Sequence, residues 1–409
     1  MKQGWKVKKL SEICISSNGL WKGKKPPFST IAVLRSTNFT KDCKLKLDDV
    51  ALIEVEEKSF SKRRLQMNDI LVERSGGGPN QPVGRVLLFN IDEDNYSFCN
   101  FTSSLRVNDA TYISPIYLHK YLTYFYITGQ TIAMQSNTIG LRNLDYNKYL
   151  DIDIPIPPIE EQQRIVDILD KEFEKIDTLK ANAEKGLQYA KDLLAQSQNI
   201  VFDSKETKPL DSIVSIINGY AFNSEDFDKT HPVKAVKITN VGVGAFIETA
   251  DTNLPYNLLL DKQDYVVHTG DIVFALTRTI ISDGLKVAIV PKSYNLALLN
   301  QRVASLRIND DIIRKYLYNY FQTQQVREYV LSRVNTLMQP NLSIKDLKAM
   351  PIPFCDNVEM KKIVTRLEQL NEHCNALQAN YEKTIALCDD MKQALLRKAF
   401  NGELKKNIL

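Results

Sequence analysis

Residues capable of acid–base or nucleophilic chemistry are present in this sequence, but they do not form a catalytic pattern. Glu56, Glu57 and Lys58 give the ExK spacing of some nucleases, yet no matching Pro-Asp pair precedes them. The four histidines lie far apart, and none has a carboxylate and a nucleophile at a spacing typical of catalysis: His119, His231, His268 and His373. We therefore predict that the chain is not an enzyme.

Cofactor-binding motifs are also missing from the sequence. The phosphate-loop motif GxxxxGK[ST] does not occur, and the glycines of SGGGPNQPVG (Ser75–Gly84) lack its lysine and the helix that should follow. The tetrapeptides NPPY and DPPF, which hold the target adenine in amino-methyltransferases, are absent. We predict a turn at the glycines and no cofactor in this chain.

The cysteine pattern and the net charge further narrow the class of protein. Six cysteines are scattered without a CxxC pair or a zinc spacing, which favours free thiols in a reducing cytoplasm and no metal site. No run approaches 18 apolar residues, and the first residues lack the apolar core of a signal peptide, so we expect a cytoplasmic protein without membrane partners. The net charge is only +4, so any polyanion partner must be bound by local positive charge.

An internal duplication is the strongest feature of the sequence. SLRVND (Ser104–Asp109) returns 201 residues later as SLRIND (Ser305–Asp310). Six further blocks recur in the same order, among them NDILV with GDIVF, NTIGLRNL with NTLMQPNL, and IPIP with MPIP. The chain is therefore predicted to contain two copies of one design.

Each copy is predicted to combine an α+β domain with a long helix. DILVE, RVLLF, SSLRV, DIVFAL and KVAIV are typical of strands, and IYLHKYLTYFYIT and IIRKYLYNYFQTQQVREYVL of helices. The proline pair Pro157–Pro158 ends the first domain before Glu160 and Glu161, whose charge favours a helix start. The predicted boundaries are residues 1–155 for the first domain, 156–204 for the central helix, 205–353 for the second domain and 354–409 for the last helix.

The two long helices carry apolar stripes that must be covered. Steps of three and four residues link Ile363, Leu367, Leu370, Cys374, Leu377, Tyr381, Thr384, Cys388, Met391 and Leu395. A looser stripe links Ile165, Leu169, Phe173, Ile176, Leu179, Ala183, Leu187, Ala190 and Leu194. We expect the stripes to pack on each other as an antiparallel coiled coil, with a pseudo-two-fold axis relating the halves. Parallel helices, or two unrelated surface helices, are the alternatives.

The segments follow one another in this order: domain, IPIPPIEEQQRIVDILD, long helix, domain, MPIPFCDNVEMKKIVTRLEQL, long helix. This order resembles the specificity subunit of type I restriction–modification enzymes. The ending ALLRKAFNGEL adds to the resemblance, which covers nearly the whole chain. The second junction departs from the pattern, because PFCDNVEMKK lacks the second proline and the EEQ run.

This resemblance implies a function and a set of partners. Each domain would be a target-recognition domain that reads one half of a split site in double-stranded DNA. The helices would form the spacer. Two adenine methyltransferase subunits and the restriction subunits would dock on the chain. S-adenosylmethionine, ATP and magnesium would be bound by those partners.

Base-reading residues are expected where the two copies diverge, because the two half-sites normally differ. Arg, Asn and Gln can pair bidentately with base edges, and Lys suits phosphate. The candidates in the first copy are Lys22, Lys24, Lys25, Arg74, Asn80, Gln81, Arg142 and Asn143. Those in the second copy are Arg278, Gln301, Arg302, Gln339 and Asn341. Arg35 and Lys237 are matched basic residues that suit either phosphate contact or a surface charge, whereas Arg106 and Arg307 are expected to be structural.

Two other functions fit the same features. A non-catalytic coiled-coil adaptor would join two protein-binding domains, and a standalone regulator would bind a bipartite DNA site without partners. Binding to a split DNA site only in the presence of methyltransferase favours the specificity subunit. Binding to protein but never to duplex DNA favours the adaptor.

Overall fold

The computed structural model describes residues 4–78, 81–138, 141–203, 206–249, 253–281, 284–333 and 341–404. The chain forms two compact units. Unit 1 comprises Met1–Ala183 and Lys383–Leu409, and unit 2 comprises Glu184–Glu382. Both long helices are divided between the units, whereas the predicted boundaries at residues 155, 204 and 353 follow the repeat and stay predictions.

Unit 1 mixes short strands with helices. Its strands are β1 Lys6–Lys9, β2 Cys14–Asn18, β3 Phe28–Leu34, β4 Ala51–Glu56, β5 Ile70–Glu73, β6 Ser75–Gly77, β7 Val86–Leu88, β8 Tyr96–Phe98, β9 Thr102–Val107, β10 Gln135–Thr138, β11 Leu141–Leu144 and β12 Asp153–Ile156. Its helices are α1 Leu10–Ile13, α2 Glu57–Ser61, α3 Pro115–Ile127, α4 Tyr146–Leu150 and the first part of α5 Ile159–Phe202.

Unit 2 has a related set of elements. Its strands are β13 Thr207–Pro209, β14 Ser215–Asn218, β15 Ala235–Val236, β16 Val266–Val267, β17 Ile272–Ala275, β18 Ile280–Ile281, β19 Gly284–Leu285, β20 Val287–Ile289, β21 Ala297–Leu299, β22 Val303–Arg307 and β23 Pro351–Pro353. Its helices are α6 Tyr256–Asp261, α7 Asp311–Tyr320, α8 Gln324–Arg333, α9 Ile344–Lys348 and the first part of α10 Asn357–Phe400.

The same four-stranded antiparallel sheet lies at the centre of each unit. Its strand order is β2-β9-β5-β7 in unit 1 and β14-β22-β17-β20 in unit 2. A parallel pair, β3 with β8 or β15 with β21, recurs beside it. The pair β1–β12, matched by β13–β23, joins the start of each copy to the strand before its long helix. These matches confirm the predicted two-unit α+β fold.

Both faces of the central strands are buried. Along β5, Ile70 and Val72 belong to one apolar core and Leu71 to another, because alternate side chains point to opposite faces. In β17, Ile272 and Phe274 likewise belong to one apolar core and Val273 to another. Continuous apolar runs such as DILV and DIVF are therefore explained by burial on both sides.

Two details of the sequence prediction were wrong. The segment from Ile312 to Leu331 is broken into α7 and α8, because the Thr323 hydroxyl donates to the Tyr320 carbonyl at 2.7 Å and accepts from Val326 N at 3.4 Å. The predicted turn at the glycines after Glu73 is wrong for Ser75–Gly77, which pairs with β11 as strand β6, although Gly78 and Gln81 do exchange two backbone hydrogen bonds. Gly76 permits this with a φ of +103°.

The long helices run antiparallel within each unit. In unit 1, Asp177 of α5 pairs with Lys392 of α10, and Lys180 pairs with Asp389 at 2.7 Å, so the numbering rises on one helix as it falls on the other. In unit 2, Gly186 faces the Tyr381 ring, while Phe202 shares a core with Met360. The antiparallel prediction is confirmed inside each unit.

Three members of the predicted stripes are exposed rather than buried. Ile165, Leu169, Ile363 and Leu367 lie in the cores of the units, but large fractions of three other side chains face solvent: Leu179, Leu377 and Met391. A straight α-helix drifts relative to a strict seven-residue repeat, so a stripe followed over many turns leaves the contact face.

Candidate nucleic-acid interface

Loops from several parts of unit 1 meet at one end of its central sheet, where β5 ends. The Leu144 amide donates to the Arg74 carbonyl, and the Arg74 amide donates to the Phe101 carbonyl, each at 2.8 Å. The Cys99 amide donates to the Leu34 carbonyl at 2.9 Å, which places Arg35 beside the same turn. We call this region, made of residues 18–20, 35–36, 74–78, 81, 99–102 and 141–144, the N-terminal edge.

Unit 2 repeats this arrangement bond for bond. The Leu342 amide donates to the Leu276 carbonyl, and the Leu276 amide donates to the Arg302 carbonyl, each at 2.9 Å. The Asn300 amide donates to the Val236 carbonyl at 3.0 Å. Residues 218–220, 237–238, 276–281, 300–302 and 341–342 form the C-terminal edge.

Most of the predicted site residues are brought together at these edges. Arg35, Arg74, Gln81, Arg142 and Asn143 lie at the N-terminal edge. Lys237, Arg278, Gln301, Arg302 and Asn341 lie at the C-terminal edge. Lys22, Lys24 and Lys25 lie on an exposed loop whose backbone contacts Glu56. Asn80 and Gln339 lie outside the described residues.

Arg74 is held against its own unit. Its guanidinium donates to Asn18 Oδ1 at 2.6 Å and to Ser103 Oγ at 3.3 Å, and it lies 4.5 Å from the ring centroid of Tyr146. Cation–π contact and two hydrogen bonds stabilise this orientation. A base contact by Arg74 stays a prediction, and it would require these bonds to be exchanged for bonds to a base.

Asn143 has a partner in its own unit as well. Ser75 Oγ donates to its Oδ1 at 2.5 Å. Asn341 occupies the matching position in unit 2, where it forms a backbone bridge with Thr277. Since the same residue type stands at both positions, a structural role accounts for Asn143 and Asn341 without any base contact.

Arg35 and Lys237, the matched basic residues, have different neighbours. Arg35 forms an ion pair with Asp49 at 2.8 Å, whereas the Lys237 ammonium lies 5.3 Å from the centroid of the Phe227 ring. The arginines expected to be structural pair with buried carboxylates: Arg106 with Asp69 at 2.6 Å and Arg307 with Asp271 at 3.4 Å.

Arg278 is exposed in an unusual backbone conformation. Its φ is +49°, in the left-handed region, and Gly76 has a positive φ at the matching position of unit 1. A non-glycine residue in this region is uncommon and costs free energy, so such residues concentrate at functional sites. The fold thus supports an exposed guanidinium at the C-terminal edge.

A buried ion pair distinguishes the two edges. Arg85 binds the Glu73 carboxylate through two bonds of 2.8 and 2.6 Å, and both side chains are buried. Although burial opposes it, hydrogen bonding to Glu73 raises the pKa of Arg85. Its Nη2 also donates to the Ser36 carbonyl at 3.1 Å.

Unit 2 keeps the cation at this position without the carboxylate. Lys286 and Ala275 replace Arg85 and Glu73, and Lys286 Nζ donates to the Ile238 carbonyl at 2.8 Å. Burial, and then the charge of Arg278, lower the pKa of Lys286. At this position, unit 2 therefore has a cation without the carboxylate that pairs with it in unit 1.

One glycine at each edge allows a close backbone approach. Gly19, after β2, lies against the turn at Cys99, and Gly219, after β14, lies against the turn at Asn300. A Cβ atom on Gly19 would lie 1.8 Å from the Cys99 carbonyl oxygen, and one on Gly219 would lie 2.0 Å from that of Asn300. Since both obstacles are backbone atoms, alanine at either position would force the turn to move.

We expect Gly19→Ala to destabilise unit 1 and Gly219→Ala to destabilise unit 2, each by about 1–3 kcal/mol. Urea unfolding followed by hydrogen exchange in each unit measures the effect. Gly78→Ala is the control, because a Cβ there meets no atom within 4 Å, and it should change stability by less than about 0.5 kcal/mol. Equal stability of all three variants would show that the turns are not tightly packed.

These observations describe a protein of two homologous α+β units, each with a polar edge. The family model described as "Type I restriction modification DNA specificity domain" matches residues 2–188 and 203–387. The chain belongs to this family.

Individual relatives agree with the family match. The type I restriction enzyme EcoAI specificity subunit of Escherichia coli is 30% identical over 41% of this chain, and the match spans 28% of that subunit. The EcoKI specificity subunit of E. coli strain K12 is 22% identical over 98% of this chain and 89% of its own length. A chain from a solved structure of the type I R-M system is 18% identical, covers 99% of both chains and has a TM-score of 0.77, which supports the fold.

Within the described ranges, no helix combines the length and the apolar composition that crossing a membrane requires. The same residues contain no group of three or more metal-ligating side chains placed to hold an ion.

Proposed function

We propose that this chain is the non-catalytic specificity subunit of a type I restriction–modification enzyme and that it reads a bipartite site in double-stranded DNA. Each edge contacts one half-site. The observation that carries the proposal is the matched pair of edges: the same scaffold bonds present divergent, exposed polar residues twice in one chain of the specificity family.

The proposed partners follow from family membership and from the chemistry that the sequence lacks. Two adenine methyltransferase subunits and the restriction subunits bind this chain in the cytoplasm. S-adenosylmethionine, ATP and magnesium belong to those subunits. The chain itself supplies recognition and scaffolding.

The proposal is tested by co-expressing the chain with its cognate methyltransferase subunit in cells without other adenine methylation. Methylated adenines are then mapped across the genome. A split motif with an unspecified gap is expected. Replacing residues 9–150 with the equivalent domain of another family member should change one half of the motif only. Binding to protein partners without any methylated motif would favour the adaptor, and a change in both halves would contradict two independent edges.

Arg278→Ala should relax one base position in the half-site read by unit 2. A lost bidentate contact costs about 1–3 kcal/mol at a single position. Methylation kinetics on duplexes that differ at that position measure the loss. Arg314→Ala is a control, because Arg314 pairs with Asp311 on α7 rather than lying at the edge. Identical kinetics for Arg278→Ala and wild type would show that Arg278 does not contact DNA.

A further inference from the structure

The residue just before β9 in unit 1 and the residue just before β22 in unit 2 occupy equivalent positions but differ in chemistry. They are Phe101 and Arg302. The Phe101 carbonyl accepts from Arg74 N at 2.8 Å, and the Arg302 carbonyl accepts from Leu276 N at 2.9 Å. The strand registers agree as well, since Thr102 lies opposite Glu73 and Val303 opposite Ala275. Both side chains therefore leave the backbone from the same point of the edge.

Both side chains face solvent. Phe101 is 53% exposed, although an apolar side chain of this size gains stability from burial. Arg302 is exposed, and within the described part of the chain its guanidinium has neither a hydrogen bond nor an ion pair. Each side chain is therefore available to a ligand at the edge.

The surroundings of Phe101 and Arg302 also differ in charge at one matched position, in the same way as the two residues themselves differ. Near Phe101, the cation of Arg85 is paired with Glu73 and that of Arg35 with Asp49, while the Arg74 guanidinium is bonded to Asn18 and Ser103 of its own unit. Unit 2 has an alanine in place of Glu73, so Lys286 has no carboxylate at the corresponding position. One edge is suited to apolar contact and the other to hydrogen-bond acceptors.

We infer that Phe101 and Arg302 are specificity-determining residues that read corresponding positions of the two half-sites, an inference that rests on the proposed DNA recognition. Arg302 donates two hydrogen bonds to O6 and N7 of a guanine in the major groove. Phe101 contacts the C5-methyl group of a thymine, which carries no hydrogen-bond requirement. Each half-site thus contains one base position that is read by one of these two residues.

The first test is a residue exchange. Phe101→Arg and Arg302→Phe are each co-expressed with the methyltransferase subunit, and the methylated motif is mapped. Each variant should change one base position, in one half-site, and leave the other half and the gap unchanged. Leu52→Arg is the matched control, because Leu52 is 72% exposed on β4 and should leave the motif unchanged.

The second test identifies the contacted group with the purified complex of this chain and its methyltransferase subunit. Thymines of the cognate duplex are replaced one at a time by uracil, which lacks the methyl group. One replacement should weaken binding by wild type but not by Phe101→Ala. Arg302→Ala should bind about fivefold to 150-fold more weakly to the cognate site and lose its preference for guanine at one position.

The outcomes separate this inference from the function on which it rests. Absence of any split motif with the wild-type chain overturns the proposed function. A wild-type motif that Phe101→Arg and Arg302→Phe leave intact, in variants with native circular dichroism, overturns only the inference. Loss of methylation in the exchange variants is resolved by Phe101→Ala and Arg302→Lys, which must then show the single-position effect or the inference falls.

Discussion

Replacing Phe400 with alanine is expected to lower the free energy of unfolding of unit 1 by about 3–5 kcal/mol, the usual cost of removing a buried phenylalanine side chain. Phe400 is the last residue of α10 and is buried in the core of unit 1. Its ring centroid lies 5.6, 5.1 and 5.4 Å from those of Tyr117, Tyr121 and Tyr124 on α3. The substitution removes these contacts and leaves a cavity between the helices.

Hydrogen exchange of the full-length chain is the suitable measurement, because it reports on both units separately. Protection of β5 amides should fall more than protection of β17 amides. Phe202→Ala is the matched variant for unit 2, since Phe202 lies 5.0 and 5.2 Å from the rings of Tyr316 and Tyr320. Met391→Ala, on the exposed side of α10, should have little effect. Unchanged protection of β5 in Phe400→Ala would contradict the predicted role of this side chain.

Arg85→Ala should destabilise unit 1 by a similar amount, about 3–5 kcal/mol, because it leaves the buried Glu73 carboxylate without its partner. The Glu73 side chain is fully buried, and two hydrogen bonds from Arg85 satisfy its oxygens. Most of the expected loss is the cost of burying an unpaired charge rather than the strength of the pair. The shift in the urea midpoint of unit 1 measures it.

Unit 2 supplies the control for this prediction. The double variant Glu73→Ala with Arg85→Lys reproduces the residues Ala275 and Lys286 at the matching positions. It removes the carboxylate together with the guanidinium, so it should be clearly more stable than Arg85→Ala. If the double variant were as unstable as the single one, the unpaired carboxylate would not be the cause.

The repeat predicted the architecture because local periodicity and the spacing of matched blocks record it directly. Apolar runs such as DIVF and the uninterrupted stretch after Pro158 specify strands and helices without long-range information. The sequence did not reveal that Phe400 completes the core of unit 1. That contact joins residues almost 300 positions apart, and no local pattern encodes such a pairing. The break at Thr323 was missed because a single capping hydroxyl decides it.

The sequence predicted which loops meet at the edges better than it predicted which side chains are free of bonds within the unit. Comparing the two copies led to loops that meet at the edges, including those with Arg278 and Arg302. Phe101 was not predicted because the candidates were Arg, Asn, Gln and Lys, although its alignment with Arg302 shows the divergence. Arg74 and Asn143 were predicted, yet their side chains are bonded within unit 1. Side-chain type indicates what a residue can bind, but only the structure shows whether its polar groups are already bonded to a neighbour.

The division of the chain between the units has a consequence for its synthesis on the ribosome. Unit 2 is continuous, so all of its residues have been made once Glu382 is added. Unit 1 contains the first residues of the chain, but its core also includes Leu396, Phe400 and Leu404. At about 5–20 residues per second, these residues follow Ala183 by roughly 10 to 40 seconds. The domain translated first is therefore the last to complete its core, and until then the apolar face of α3 is without the helix that covers it.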